Sequence, residues 1–270
     1  MTITNLLDPQ RYVETALTAA LAGADAIRAV RRQGRLEVTT KSAAHDLVTS
    51  ADRAAELAIT EVLRKQFPDD AILGEETGSQ PGTSGVRWLV DPLDGTANFV
   101  HRRAAYAVSV GAERDGEPYA GAVVLPEDDR WITGGPDGAF SVRVGTKRAD
   151  GHGRLQIQGA ALGEALVTFG LPSGLENRRR ALTTVADLSV DVRGVRVMGC
   201  AAGDLAAVAL GMCDAFVGFG LAEWDIAAGH AIVLAAGGSA HRGQDGNGQP
   251  VLIAGSSELV SELRSRISAT

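Results

Sequence analysis

Residues 88–99 read Trp88-Leu89-Val90-Asp91-Pro92-Leu93-Asp94-Gly95-Thr96-Ala97-Asn98-Phe99. An apolar run that ends in two carboxylates, a proline and a glycine predicts a buried strand whose end opens into a site. Pro92 has no N–H for a ladder, so the strand is expected to stop there and the chain to turn. The turn would bring Asp94 back toward Asp91. Gly95 lets a backbone approach a ligand closely. Thr96 is read as the opening of a short helix, whose first N–H groups can face an anion. Carboxylates for cations beside amides for a phosphate suit a phosphate ester held through metal ions.

Two more acidic clusters close apolar elements. Gly74-Glu75-Glu76 follows the run Ala71-Ile72-Leu73, and Trp224-Asp225 stands at the start of a helix. Working outward, Asp8 and Pro9 predict a helix start, and Val13, Leu17, Ala20, Leu21, Ala24 and Ile27 continue it at helical spacing up to Gly34. A short extended piece, 36–40, precedes a second helix over 50–66, stopped by Pro68. From Tyr106 to Val144, apolar runs separated by turn residues predict an antiparallel meander. Residues 145–155, rich in Gly, Lys, Arg and Asp, mark the division, placed as 1–148 and 149–270. Strands and helices then alternate: strands at 165–169, 195–198, 214–219, 239–242 and 251–254; helices at 175–189, 201–210, 225–236 and 257–268. The fold class is α+β in the first half and α/β in the second.

Composition narrows the function. Lys plus Arg number 26 against 33 Asp plus Glu, a formal charge of −7. That balance argues against nucleic-acid and anionic-membrane surfaces. No stretch approaches the roughly 20 apolar residues of a membrane span, and no secretory signal is read at the N-terminus. Cys200 and Cys213 need no disulfide framework, so a cytoplasmic location fits. The run Arg178-Arg179-Arg180 reads as solvated surface. All candidate ligands are hard oxygens, which favours Mg²⁺. His45, His101, His152, His230 and His241 show no zinc spacing.

Taken together, the segments resemble the inositol monophosphatase family of fructose-1,6-bisphosphatase-like, lithium-sensitive phosphatases. Those carrying the resemblance are Gly74-Glu75-Glu76, residues 88–99, Trp224-Asp225-Ile226-Ala227-Ala228-Gly229, Ala235-Ala236-Gly237-Gly238, and Lys41-Ser42 with residues 46–52. The resemblance implies a layered αβαβα sandwich, a homodimer, and two or three Mg²⁺ ions. It assigns Glu75, Asp91, the Leu93 carbonyl and Thr96 to one metal, and Asp91, Asp94 and Asp225 to a second, with Glu76 beside them or reaching a weaker site through water. It pairs Asp52 with the Thr96 hydroxyl to orient the attacking water and places Lys41 on a loop over the site. Gly95 and Thr96 would hold the phosphate, and Gly199, Cys200 and Ala201 would touch the substrate.

The implied activity is Mg²⁺-dependent hydrolysis of a small phosphomonoester, with myo-inositol 1-phosphate the leading substrate. Histidinol phosphate, fructose 1,6-bisphosphate and 3′-phosphoadenosine 5′-phosphate are alternatives, and a non-catalytic regulatory protein keeping the fold is the reading from another class. Two departures bear on substrate. Gly218 stands seven residues before Asp225, where inositol phosphatases carry a Glu that contacts a ring hydroxyl; Glu223 adjoins Trp224 and is not its equivalent. Cys200 replaces a Ser or Thr.

Overall fold

A computed structural model describes residues 8–34, 36–40, 47–143 and 152–268. Lys41, expected over the site, lies outside them.

The first half opens with α1 (Pro9–Gln33), capped by the Asp8 carboxylate, which accepts from the Gln10 N–H at 3.1 Å. The short strands β1 (Val38–Thr40) and β2 (Leu47–Thr49) pair antiparallel, and α2 (Ser50–Gln66) follows. An eight-stranded sheet comes next, with β3 (Ala71–Gly74), β4 (Gly78–Gln80), β5 (Val86–Asp94), β6 (Ala107–Arg114), β7 (Glu117–Leu125), β8 (Arg130–Gly135), β9 (Gly138–Arg143) and β10 (His152–Arg154). Its order is β10-β9-β8-β7-β6-β5-β3-β4, and only β3 and β5 run parallel, with α3 (Thr96–Val100) inserted after β5. The meander read from the sequence is β6 to β9. The sheet continues into β10, so it ends at Arg154.

The second half has a five-stranded sheet of order β12-β11-β13-β15-β14. Its strands are β11 (Leu166–Gly170), β12 (Gly194–Arg196), β13 (Ala215–Phe219), β14 (Ser239–Gln244) and β15 (Pro250–Gly255). The helices are α4 (Leu175–Leu188), α5 (Ala201–Ala209), α6 (Glu223–Ala235) and α7 (Ser257–Ile267).

The apolar clusters give the layers. Tyr12, Ala16, Ile27, Ile59 and Leu63 of α1 and α2 pack on one face of the large sheet against Trp88, Val90 and Val110. Ala206, Ala228 and Ile232 of α5 and α6 pack on its other face against Val123 and Ile132. The same two helices meet the small sheet through Leu205, Val233, Phe216 and Leu252. Val185, Leu188, Leu259 and Leu263 of α4 and α7 cover its far side. The result is the αβαβα sandwich that the resemblance implies.

The middle helix layer fits because the large sheet has a bare track. Gly111, Gly121 and Gly134 are register partners across β6, β7 and β8. A Cβ on Gly121 would meet the Ala228 carbonyl oxygen at 2.6 Å, and one on Gly134 would meet the Ile232 Cα at 2.5 Å. Here α6 lies backbone-close on the sheet, and α6 carries Asp225.

Candidate active site

Residues 88–99 form the floor of the site, and they depart from expectation at one point. Pro92 does not end β5. Asp91 pairs with Ser109 and Asp94 with Ala107, so the register slips between them and resumes. Pro92 and Leu93 bulge out of the ladder, which is how proline is tolerated inside a strand. The Leu93 N–H donates to Asp91 Oδ1 at 3.0 Å and closes the bulge. Gly95 follows with φ 88°, a left-handed value that favours glycine, and a Cβ there would meet the Ala105 and Gly199 carbonyl oxygens at 2.9 and 3.1 Å.

Four elements bring carboxylates to this floor. The Glu75 N–H donates to the Val90 carbonyl at 3.1 Å, which fixes the end of β3 beside β5. Asp91 is buried, and its carboxyl stands well above the usual range because burial penalises its charge and Glu75, Asp94 and Asp225 add repulsion. A contact with the Glu75 carboxyl pushes Asp91 in the same direction. Asp94 is pushed up to about 6 by burial, against opposing hydrogen bonds from Ala202 and Cys200. The Ala202 N–H reaches Asp94 Oδ2 at 2.6 Å. Asp94 thus caps α5, a duty the Cys200 side chain at the N-cap does not perform. Asp225, in the first turn of α6, accepts from the Ala222 N–H at 2.8 Å.

Asp52 lies within the first turn of α2, where its carboxylate accepts from the Thr49 N–H at 2.8 Å and the Thr49 hydroxyl at 2.6 Å. The Thr96 hydroxyl faces Asp52 Oδ1 at 2.9 Å and the Leu93 carbonyl at 3.0 Å. One hydroxyl proton serves one of these acceptors at a time.

A cleft of about 530 Å³ joins these parts. Glu75, Asp94, Gly95, Thr96, Gly199, Cys200, Ala201, Trp224 and Asp225 all line it. Glu76 stands behind, its N–H donating to Glu56 Oε2 at 2.8 Å. Gly218 does not line the cleft. It is buried inside β13, and a Cβ there would meet Leu221 Cδ1 at 2.6 Å and the Phe216 ring at 2.8 Å. This corrects its placement among substrate contacts: Leu221, not residue 218, faces the cleft.

Four supporting residues, Glu56, Asn98, Arg87 and Arg242, have no role assigned to them from sequence. Glu56 is fully buried on α2 and binds the Glu76 and Thr77 N–H groups, so it sets the loop that presents Glu75. A Cβ on Gly74 would come within 2.3 Å of its carboxylate, which accounts for that glycine. The available signal was periodicity: Asp52, Glu56, Ile59 and Leu63 share the inward face of α2, and two of them are acids. Asn98 donates to the Ala105 and Met198 carbonyls at 2.7 and 2.8 Å, tying α3 to the loop before α5. Arg87 bridges Glu113 and Glu223 at 2.9 and 2.8 Å, and Arg242 meets Glu113 at 3.1 Å. This network anchors the start of α6 and turns Glu223 away from the cleft.

Among the described residues, no three His, Cys, Asp or Glu side chains are gathered tightly enough to hold a cation as they stand. The donor chemistry nevertheless fits a hard divalent ion. Asp91 is buried and repelled by Glu75, Asp94 and Asp225, a crowd that a cation would neutralise as protons do.

The same burial predicts how stability depends on pH. Asp204, buried on α5, is pushed up to about 7, mainly by desolvation. The Thr168 hydroxyl stands nearby, but among the described residues Thr168 Oγ1 and Asp204 Oδ2 both lack a partner within hydrogen-bond geometry. A folded carboxyl held above its unfolded value keeps its proton longer, so its favourable contribution is lost as pH rises through the folded value. His230, lowered to about 4 by burial, acts oppositely, but only below its unfolded pKa of about 6.5. In chelator, the melting temperature should therefore fall between about pH 6.5 and 8, and Asp204→Asn should flatten that fall. A wild-type melting temperature that rises over this window would contradict the assignment.

The comparisons agree with the geometry. The model of the inositol monophosphatase family matches residues 8–268. An inositol-1-monophosphatase of Rhizobium meliloti is 38% identical over 242 residues, covering 85% of both chains. A fructose-1,6-bisphosphatase/inositol-1-monophosphatase of Aquifex aeolicus is 36% identical over 85% of this chain and 84% of its own. The Mycobacterium tuberculosis SuhB structure superposes with a TM-score of 0.81 at 29% identity, covering 97% of this chain and 98% of that one. A match that runs from α1 to α7 and a shared five-layer architecture place the chain in the inositol monophosphatase family, as a phosphoric monoester hydrolase.

Proposed function

We propose that the chain hydrolyses small phosphomonoesters with Mg²⁺, is inhibited by Li⁺, and accepts myo-inositol 1-phosphate without being dedicated to it. The observation that carries the reading is the meeting of Glu75, Asp94, Thr96 and Asp225 on one cleft, with buried Asp91 behind them. Glu75, Asp91, the Leu93 carbonyl and Thr96 would hold one cation, and Asp91, Asp94 and Asp225 another, with Glu76 beside them. Bound there, the cations would supply Lewis acidity to the phosphoryl group and the leaving oxygen.

The chain's own residues do the rest. Gly95 and Thr96, where α3 begins, hold the phosphate. Thr96, donating to Asp52, turns an oxygen lone pair to a water and accepts a hydrogen bond from it. That aims the water at phosphorus as the P–O bond to the leaving alcohol breaks. The working form is proposed as a cytoplasmic homodimer, the first on the unpaired thiols Cys200 and Cys213, the second on the family resemblance. The breadth of substrate rests on the apolar cleft wall at Leu221, which covers Gly218 and leaves no carboxylate there to select the inositol ring. The regulatory reading is set aside because a pure binding module has no need of this acid set.

A phosphate-release panel with Mg²⁺ tests the reading. Inositol 1-phosphate and other neutral polyol phosphates, such as glycerol 2-phosphate, should be hydrolysed within about tenfold of one another. A thousandfold preference for inositol 1-phosphate would assign recognition to another residue. Thr96→Ala should lower kcat more than it raises KM, since the contact with water strengthens in the transition state. A change confined to KM would make Thr96 a ground-state phosphate contact.

A further inference from the structure

Strands β11 and β13 are parallel neighbours, and the chain leaving them builds one wall of the cleft with Gly170, Leu171, Pro172, Gly220 and Leu221. The side chain that reaches this wall from α4 is Arg178. The sequence reading left Arg178-Arg179-Arg180 on the surface. Arg180 conforms, pairing with Glu176 one turn away at 3.4 Å. Arg178 turns inward. Its Nε donates to the Pro172 carbonyl at 3.0 Å and its Nη2 to the Ser173 carbonyl at 3.3 Å. Carbonyls fix the plane of a guanidinium without neutralising it, and two of its five N–H donors are used. Among the described residues lining the cleft, Arg178 is the only cation, and no described carboxylate pairs with it.

The neighbouring wall is apolar. Gly170 and Gly218 are register partners, and a Cβ on either would come within 2.8 or 2.6 Å of Leu221 Cδ1. Leu221 therefore covers the glycine pair, where a carboxylate at 218 would have served a neutral polyol or a cationic group. The geometry points to Arg178 as the residue that selects the leaving group: the preferred ester carries a second oxyanion, a carboxylate or a second phosphate, that pairs with this guanidinium. This rests on the phosphomonoesterase reading above. It disfavours histidinol phosphate, whose ammonium would meet a like charge.

Two substrate pairs matched in shape test it: 3-phosphoglycerate against glycerol 3-phosphate, and fructose 1,6-bisphosphate against fructose 1-phosphate. Wild type with Mg²⁺ should favour the anionic member of at least one pair in kcat/KM by about tenfold to a hundredfold, the scale of a charge-assisted hydrogen bond. The responding pair identifies carboxylate or phosphate. Arg178→Gln should bring that ratio to within about twofold of one, with Arg178→Lys intermediate. If Arg178 only braces the 171–174 loop, both variants weaken all four esters alike and the ratio stays, which overturns the proposal. If no ester releases phosphate, the phosphatase reading fails instead. Calorimetric binding of 3-phosphoglycerate against glycerol 3-phosphate then still decides: a preference in wild type that Arg178→Gln abolishes supports the arginine, and equal binding refutes it.

Discussion

Asp94→Asn should remove nearly all turnover while leaving the protein folded. The carboxylate lines the cleft beside Glu75 and Asp225, and the substitution removes one charge with almost no change of volume. An asparagine oxygen can still accept from the Ala202 N–H, so the cap of α5 survives. A cation is worth several kcal/mol of transition-state stabilisation, so its loss corresponds to about a thousandfold or more in kcat. In chelator the variant should melt no lower than wild type, because a desolvated carboxylate held near 6 gives nothing to the fold at neutral pH. Turnover within about twofold of wild type would show that Asp94 binds no essential metal.

Gly121→Val is the second large effect, and it acts through packing. The added Cβ would stand 2.6 Å from the Ala228 carbonyl oxygen and 2.8 Å from the Ala228 Cα. Both are backbone atoms of a helix held between two sheets. The helix cannot yield without disturbing the small sheet, so the cost should exceed about 3 kcal/mol, the upper range for overpacking. For a chain of this size that lowers the melting temperature by about 10 °C. Activity should fall with it, since α6 carries Asp225. Gly153→Val, where nothing lies within 4 Å of the new Cβ, is the matched control. Equal melting temperatures for the two variants would refute the glycine track.

What the sequence made legible was whatever depends on local pattern. Pro68 places the end of α2, and the structure ends the helix at Gln66 as read, but the stripe expected at Leu57, Ala58 and Val62 is not the inward face, which is Ala51, Ala55, Ile59 and Leu63 with Leu57 exposed. The acids at the ends of β3 and β5 and the start of α6 were visible as charge at the close of apolar runs. Long-range register was not legible. The bulge at Pro92 exists because β6 pairs on both sides of it, and nothing near Pro92 announces that. The glycine track looks like three weak points in three strands until register aligns them. The seven-residue spacing to Asp225 marks residue 218 but not its cover, since Leu221 folds over it from beyond the strand. Arg178 and Arg180 look alike in sequence; only the course of the 171–174 loop separates them.

The most direct test of the central claim is phosphate release from inositol 1-phosphate by chelated protein as Mg²⁺ is returned, with Asp225→Asn alongside. Wild type should be silent in chelator and recover fully with Mg²⁺, and the variant should stay silent at every concentration. Undiminished turnover after exhaustive chelation, or recovery of the variant to the wild-type level, would contradict the account.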